Sequence, residues 1–235
     1  MLKRFLIAVA VIISVSCATV TENDIKNSQY HYQLGISYLN DNNIQPAFSE
    51  LQKAVELNPH DKEIHNALGV IYLSTLEDYP KAIEHFQKAL VIDKNYSEAA
   101  TNLGNTYANM RKYDEAIESY KMALSNPQYK NAAMAFNNLG MVYYRLSKLD
   151  EALSTFKEAL KRYSDFYAPY YGLALGFNAK GQYDDAALAM QRAIELDPLY
   201  KGNTDKAIVD LRNQKLRATG EQEQDLIDFL EIINY

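Results

Sequence analysis

An internal repeat constrains the fold of this 235-residue chain more than any other feature. Five segments carry Leu-Gly or Leu-Ala with an aromatic residue three positions after the glycine or alanine. Each then carries Ala-x-x-x, a large apolar residue, and a second alanine three positions later. The glycine and alanine positions are spaced by 34, 35, 36 and 34 residues: Gly35, Gly69, Gly104, Gly140 and Ala174. A period of this length predicts stacked helix pairs rather than a single globular core.

The small residues of the repeat have a packing explanation. Glycine or alanine in the first helix of a pair lets the second helix approach closely. Alanines at the start of the second motif should do the same from the other side: Ala47, Ala82, Ala116, Ala152 and Ala186. Aromatic residues are expected to fill the space between adjacent pairs: Tyr38, Tyr72, Tyr107, Tyr143 and Phe177.

This pattern resembles the tetratricopeptide repeat, a helix–turn–helix unit of 34 residues. The resemblance implies an all-α fold, a right-handed superhelical solenoid of about five to six repeats, with five repeats at 28–200. Residues 201–235 are expected to form a degenerate sixth unit, or C-terminal capping helices. Leu226, Phe229, Leu230 and Ile233 make an apolar stripe in its last helix, and a solenoid needs such a cap to cover its final apolar face.

The first seventeen residues read as an export signal. Lys3 and Arg4 precede an uncharged apolar run at 5–16. This run is shorter than the roughly 20 apolar residues that a membrane-spanning helix requires, and its order of cationic, apolar and small residues is typical of a signal peptide.

Cys17 is the only cysteine of the chain, so it cannot form an internal disulfide. Val15, Ser16 and Cys17 resemble the end of a bacterial lipobox, which implies a lipidated Cys17 at the mature N-terminus and a tether at 18–27. Ser14 stands where leucine is usual, and cleavage after Ala18 is the alternative, which would remove the cysteine. With lipidation, Ala18 in place of aspartate implies anchoring to the outer membrane, facing the periplasm.

Charge and composition exclude several functions. Without Lys3 and Arg4 the chain has 22 basic and 30 acidic residues, a net charge of −8, which argues against nucleic-acid binding. His31, His60, His65 and His85 show no metal-ligand spacing, and no phosphate-binding glycine loop is present. We therefore expect no catalytic residue, metal, cofactor or small-molecule substrate.

Function is then expected in the groove lined by the first helices, where a protein partner would bind. Asn102, Asn105 and Asn109 share one helical stripe, and Asn138 is the counterpart of Asn102 one repeat later. An asparagine both donates and accepts hydrogen bonds, so it can hold the backbone of an extended peptide; ordinary solvated asparagines are the alternative. The complete set of exposed groove candidates is Tyr32, Ile36, Val70, Asn102, Asn105, Asn109, Asn138, Met141, Tyr144, Arg145 and Tyr171.

An export signal, a cysteine, a short tether and then these repeats resemble the type IV pilus biogenesis/stability lipoproteins, the pilotins of the pilus secretin. The junction "SNPQYKNAAMAFNNLG" at 125–140 is similar in sequence to the corresponding junction of that family. The resemblance implies a partner, the secretin, that is escorted to the outer membrane and assembled there. Two alternatives remain: an envelope scaffold for another complex, and the binding subunit of an envelope synthesis enzyme.

Overall fold

The computed structural model describes residues 20–235, and all regular structure in that range is helical. The predicted signal and Cys17 lie outside the described residues. Ten helices form five consecutive pairs: α1 (Glu22–Asn40) with α2 (Ile44–Leu57), α3 (Lys62–Ser74) with α4 (Tyr79–Ile92), α5 (Ser97–Asn109) with α6 (Tyr113–Leu124), α7 (Ala132–Arg145) with α8 (Leu149–Arg162), and α9 (Ala168–Ala179) with α10 (Tyr183–Leu196). Two further helices follow, α11 (Thr204–Lys215) and α12 (Glu221–Ile233). The predicted all-α class is confirmed.

The first pair forms an N-terminal unit, described over 20–59. Helix α1 begins at Glu22, so residues 22–27 of the expected tether at 18–27 are already helical. Thr21 caps it: its hydroxyl accepts from the Asp24 N–H at 3.2 Å, and the Asp24 carboxylate accepts from the Thr21 N–H at 3.0 Å. This reciprocal arrangement satisfies two backbone donors at the helix start.

Within this unit, α1 and α2 approach closely at Gly35. A Cβ atom built on Gly35 would lie 2.8 Å from Cγ of Leu51. The Ser28 hydroxyl is buried and donates to the Ala54 carbonyl at 2.8 Å. The glycine position therefore works as the sequence predicts.

The remaining helices form a second unit, His60–Tyr235. In it, each repeat glycine of a first helix faces a ring of the second helix. A Cβ atom on Gly69 would lie 2.5 Å from the Phe86 ring, and one on Gly104 would lie 2.7 Å from the Tyr120 ring. Real Cβ contacts are almost never this short, so a larger residue would force the paired helices apart.

Phe156 of α8 is enclosed by glycines of two successive pairs. Built Cβ atoms would lie 2.6 Å from its ring at Gly140 and 2.4 Å at Gly172. Its side chain is fully buried. One ring therefore fills the glycine-lined gaps of both α7 and α9.

Three of the first helices in this unit end in the same way. The turn to the second helix passes through a residue with positive φ: Arg111 (57°), Ser147 (56°) and Gly181 (72°). The next residue donates its N–H to a carbonyl five positions back at 2.9 Å, as Lys112 does to Tyr107. This 6→1 bond satisfies a carbonyl that the helix end would otherwise leave unpaired.

The last two helices join the apolar core of the fourth and fifth pairs. Helix α11 contributes Ala207 and Leu211, and α12 contributes Leu226 and Ile232. Helix α12 packs against α9 and α10 as well as α11. Within residues 20–235, none of the helices combines the length and apolarity needed to cross a bilayer.

Candidate protein-binding groove

Helices α3, α5, α7 and α9, the first helices of four pairs, are neighbours in the second unit and form what we call the A-helix face. Most of the predicted groove residues lie on these helices: Val70 on α3; Asn102, Asn105 and Asn109 on α5; Asn138, Met141, Tyr144 and Arg145 on α7; and Tyr171 on α9. The other two, Tyr32 and Ile36, lie on α1 in the N-terminal unit and are half-buried. The sequence predicts exposed side chains, but of these residues only Asn109 is exposed.

The amides of the A-helix face are half-buried because they bond to one another. Asn102 donates from Nδ2 to Oδ1 of Asn66 at 3.0 Å. Asn138 donates to Oδ1 of Asn105 at 2.8 Å, and the Tyr120 hydroxyl donates to the same oxygen at 2.7 Å. Burial raises the pKa of Tyr120 above its ordinary value, so its hydroxyl stays a donor at physiological pH. The network orients the amides while Asn109 remains open to solvent.

A cavity of about 380 Å³ opens beside this network. Its lining combines the amides with apolar and charged side chains: Asn105, Ala108, Asn109, Tyr113, Tyr120, Asn138, Met141, Val142, Arg145 and Glu221. A larger cavity of about 610 Å³ lies at the turn between α11 and α12 and contains none of these amides. We take the smaller cavity as the candidate site, because convergent polar groups beside apolar walls are typical of binding sites.

One end of the candidate site is closed by α12. Nη1 of Arg145 donates to Oδ1 of Asp225 at 2.7 Å, and Nη2 contacts the second carboxylate oxygen. Nε of Arg145 also lies 3.4 Å from Oε2 of Glu221. The Arg145 and Asp225 side chains are only 19% and 13% exposed. The hydrogen bond to Asp225 raises the pKa of Arg145, so this predicted groove cation is already paired within the chain.

Two of the three predicted groove tyrosines, Tyr144 and Tyr171, face α12. The Tyr171 ring packs edge-on against Phe229 with centroids 5.4 Å apart. Tyr144 is half-buried, and burial, followed by the charges of Asp225 and Asp228, raises its pKa to about 12. Both tyrosines are therefore covered rather than open, because α12 folds back over α7 and α9.

Two histidines that the sequence places in separate helices are adjacent. Nδ1 of His65 and Nδ1 of His85 lie 3.1 Å apart, and His85 stacks on Tyr72. Burial, followed by the charge of His65, lowers the pKa of His85 to about 4. Over residues 20–235 the side chains include no group of three His, Cys, Asp or Glu placed to hold a metal ion.

Comparison with known sequences identifies the family. Three models of the tetratricopeptide repeat match the chain, at residues 28–61, at 62–128 and 96–165, and at 137–201. The chain belongs to the tetratricopeptide-repeat family. Members of this fold present extended surfaces for binding other proteins, and none of the matched models describes an enzyme.

Individual tetratricopeptide proteins are also similar to it. A type IV pilus assembly protein of Pseudomonas aeruginosa, PilF, is 32% identical over 100 residues, which is 42% of this chain and 39% of that protein. The chain thus spans about two fifths of this relative, and it spans 14% and 56% of two other curated relatives.

Solved structures that share the tetratricopeptide fold include the following two. The structure of Pseudomonas aeruginosa pilF is 22% identical with a TM-score of 0.69, covering 88% of this chain and 90% of that one. The structure of PilW, described as a widely conserved type IV pilus biogenesis factor, is 20% identical with a TM-score of 0.70. It covers 86% of this chain and 90% of that one.

Sequence reasoning missed the partners of the groove residues. Asn66, Tyr120 and Asp225 were not among the candidates, yet each binds one of them. The acidic residues did carry a signal: Glu221, Asp225 and Asp228 recur at helical spacing. The repeat itself gives no position for α12, because that helix lies outside the tetratricopeptide pattern.

Proposed function

We propose that the chain is a non-enzymatic lipoprotein of type IV pilus biogenesis, which binds the secretin and assists its localisation and assembly at the outer membrane. The similarity to PilF carries this proposal, and the folds of pilF and PilW support it. The A-helix face offers a binding surface of the kind such a function needs.

The proposed binding mode is an extended peptide lying along the cavity. Asn109 is exposed and lines the cavity. Met141 and Val142 would contact an apolar side chain of the peptide. Asn105 and Asn138, already oriented by Tyr120, would face the peptide backbone without requiring one particular sequence.

The proposed anchor is lipidated Cys17. Since α1 begins at Glu22, only four residues, 18–21, separate Cys17 from the first helix. Four extended residues reach at most about 14 Å. The N-terminal unit would therefore act within a short distance of the membrane surface, where a secretin subunit would insert.

A deletion strain tests this function. Loss of the gene should reduce multimeric secretin in the outer membrane and leave few or no surface pili. Complementation with Asn109→Ala together with Met141→Ala should restore only part of the secretin assembly, whereas Asn95→Ala, an exposed residue outside the cavity, should restore it fully. Normal secretin multimers and normal piliation in the deletion strain would contradict the proposal and favour an envelope scaffold for another complex.

A further inference from the structure

The second helices of four pairs end at equivalent residues, and one of these residues differs in kind from the others. Each lies at the same distance after the motif alanine and donates its N–H to the carbonyl four residues back: Asn58, Asp93, Tyr163 and Asp197. Three of them are small and polar, whereas Tyr163, at the end of α8, is aromatic. The fourth pair therefore lacks the short polar side chain that the other three have at this point.

In the second pair, this position belongs to an ion pair. Nζ of Lys62, at the start of α3, lies 2.6 Å from Oδ2 of Asp93, at the end of α4. A cavity of about 500 Å³ between these two helix ends is lined by both residues and by the further carboxylates of Asp61 and Glu63. The chain itself therefore supplies the acidic partner of the lysine in this pair.

The corresponding place in the fourth pair has cations without such a partner. A cavity of about 360 Å³ lies between the start of α7 and the end of α8, and we call it the α7–α8 end cavity. Lys130 and Arg162 line it, and its lining contains no carboxylate from the described part of the chain. The Arg162 guanidinium lies 6.0 Å from the centroid of the Phe136 ring. The nearby Asp165 is 4.0 Å from a different cation, Arg192.

Apolar side chains lie beside the two cations and are open to solvent. Met134 and Tyr163 also line the cavity and are 51% and 57% exposed. The third apolar side chain, the half-buried Phe166, stacks on Tyr163 with ring centroids 6.3 Å apart. Methionine, aromatic residues and arginine are the residue types enriched in protein–protein interfaces. The end of this pair therefore combines unneutralised positive charge with an exposed apolar surface.

We infer that the α7–α8 end cavity is a docking site for a short acidic segment of a partner protein, with an aromatic residue among its carboxylates. The partner's carboxylates pair with Lys130 and Arg162, as Asp93 pairs with Lys62 in the second pair. The partner's ring packs against Met134 and Tyr163.

Charge favours this occupant over an extended polyanion. The chain has a net charge of −6, which repels a nucleic acid or an anionic membrane surface, whereas two local cations match a segment with a few carboxylates. The α7–α8 end cavity shares no lining residue with the candidate site beside the amides. The inference rests on the proposed protein-binding function, but it adds a second surface and does not depend on which envelope protein is bound.

The test is an NMR titration of the isotope-labelled purified protein with the peptide Gly-Ser-Asp-Glu-Phe-Asp-Ser-Gly. Backbone amide signals of residues 130–134 and 162–166 should shift as the peptide is added. Lys130→Gln with Arg162→Gln should raise the Kd of the peptide about tenfold or more, because both charge-assisted contacts are lost. The matched control, Lys148→Gln with Lys157→Gln, removes the same charge from exposed positions on α8 outside the cavity and should bind as wild type does.

Two substitutions at Tyr163 separate the ring from the charge. Tyr163→Asp returns the carboxylate that the second pair has, and Tyr163→Asn removes the ring without adding charge. Both should bind the peptide more weakly than wild type, and Tyr163→Asp should be several-fold weaker than Tyr163→Asn, because its carboxylate neutralises the two cations. A peptide with amides in place of its carboxylates should cause no shifts. Circular dichroism should be unchanged in every variant, since the substituted side chains are exposed.

Several results would overturn the inference: no shifts at the cavity, equal affinity of wild type and the Lys130 and Arg162 variant, or equal affinity of the two Tyr163 variants. Binding of phosphatidylglycerol vesicles that requires both cations, without any response to the peptide, would also overturn it and assign the surface to a membrane. Peptide binding at the cavity together with normal secretin multimers in the deletion strain would end the secretin proposal and leave this inference standing.

Discussion

Glycines of the first helices leave room for aromatic rings of the second helices. Gly104→Leu should lower the free energy of unfolding by about 1–3 kcal/mol or more, because the new side chain would collide with the buried Tyr120 ring. Ala179→Leu adds bulk at an exposed helical position and should cost less than about 0.5 kcal/mol. Chemical denaturation of both variants measures the difference, and equal midpoints would contradict the packing described for this glycine.

His85 should make stability depend on pH. Its pKa is about 4 in the folded protein and about 6.5 when unfolded, so the unfolded chain takes up the proton first as the pH falls. The contribution is therefore complete above pH 6.5 and decreases toward pH 4. Between pH 7 and pH 5 the loss should be about 1–2 kcal/mol, after allowing for partial solvent screening.

A variant at His85 isolates this effect. Four charged or titratable groups influence the ring of His85: His65, Glu84, Lys88 and Lys81. His85→Gln should flatten the decline of unfolding free energy between pH 7 and pH 5. An identical decline in wild type and His85→Gln would show that another group is responsible.

The sequence predicted which helices carry the groove asparagines, but not which residues they bond to. Helical spacing was enough to place Asn102, Asn105 and Asn109 on one helix and Asn138 on a later one. It could not reveal that Asn138 bonds to Asn105 across helices, because such pairing depends on how two repeats are set against each other. Asn102, Asn105 and Asn138 are half-buried rather than exposed for that reason, whereas Asn109 is exposed.

Among the elements, the turns between paired helices offer a clean exchange experiment. Ser147 and Gly181 occupy equivalent turns with φ of 56° and 72°, and only glycine adopts this conformation without strain. Ser147→Gly should raise the free energy of unfolding by a few tenths to about 1 kcal/mol, and Gly181→Ser should lower it by a similar amount. A Cβ atom on Gly181 would meet nothing within 4 Å, so the effect there is of backbone origin. Thermal unfolding in which both variants shift in the same direction would contradict this explanation.

The helix pairs were predictable, and the ends of the chain were less so. The repeat pattern indicated each pair because small and aromatic residues recur at fixed positions. The early start of α1 was missed because it depends on the Thr21–Asp24 cap rather than on apolar periodicity. The contact of α12 with α7 was missed because it depends on the Arg145–Asp225 pair, whose partners are eighty residues apart in sequence.

For the molecule as a whole, the proposed membrane anchor depends on one atom, the sulfur of Cys17. Metabolic labelling with palmitate should mark the wild-type protein and fail to mark Cys17→Ser, and the labelled protein should fractionate with the outer membrane. The protein should stay on the membrane after salt washing, because a lipid anchor rather than charge attraction would hold it there. Label retained by Cys17→Ser, or a mature chain beginning at Thr19, would contradict lipidation.

Phe156 couples the local unfolding of two successive repeats. Because its ring occupies the glycine-lined gaps of both α7 and α9, separating either helix from α8 uncovers the same ring. Stability in stacked repeats is a sum of repeat and interface terms, and a shared ring concentrates the interface term at this junction. The amides of α7, α8 and α9 should therefore exchange with solvent through a single cooperative opening, as one folding unit rather than two.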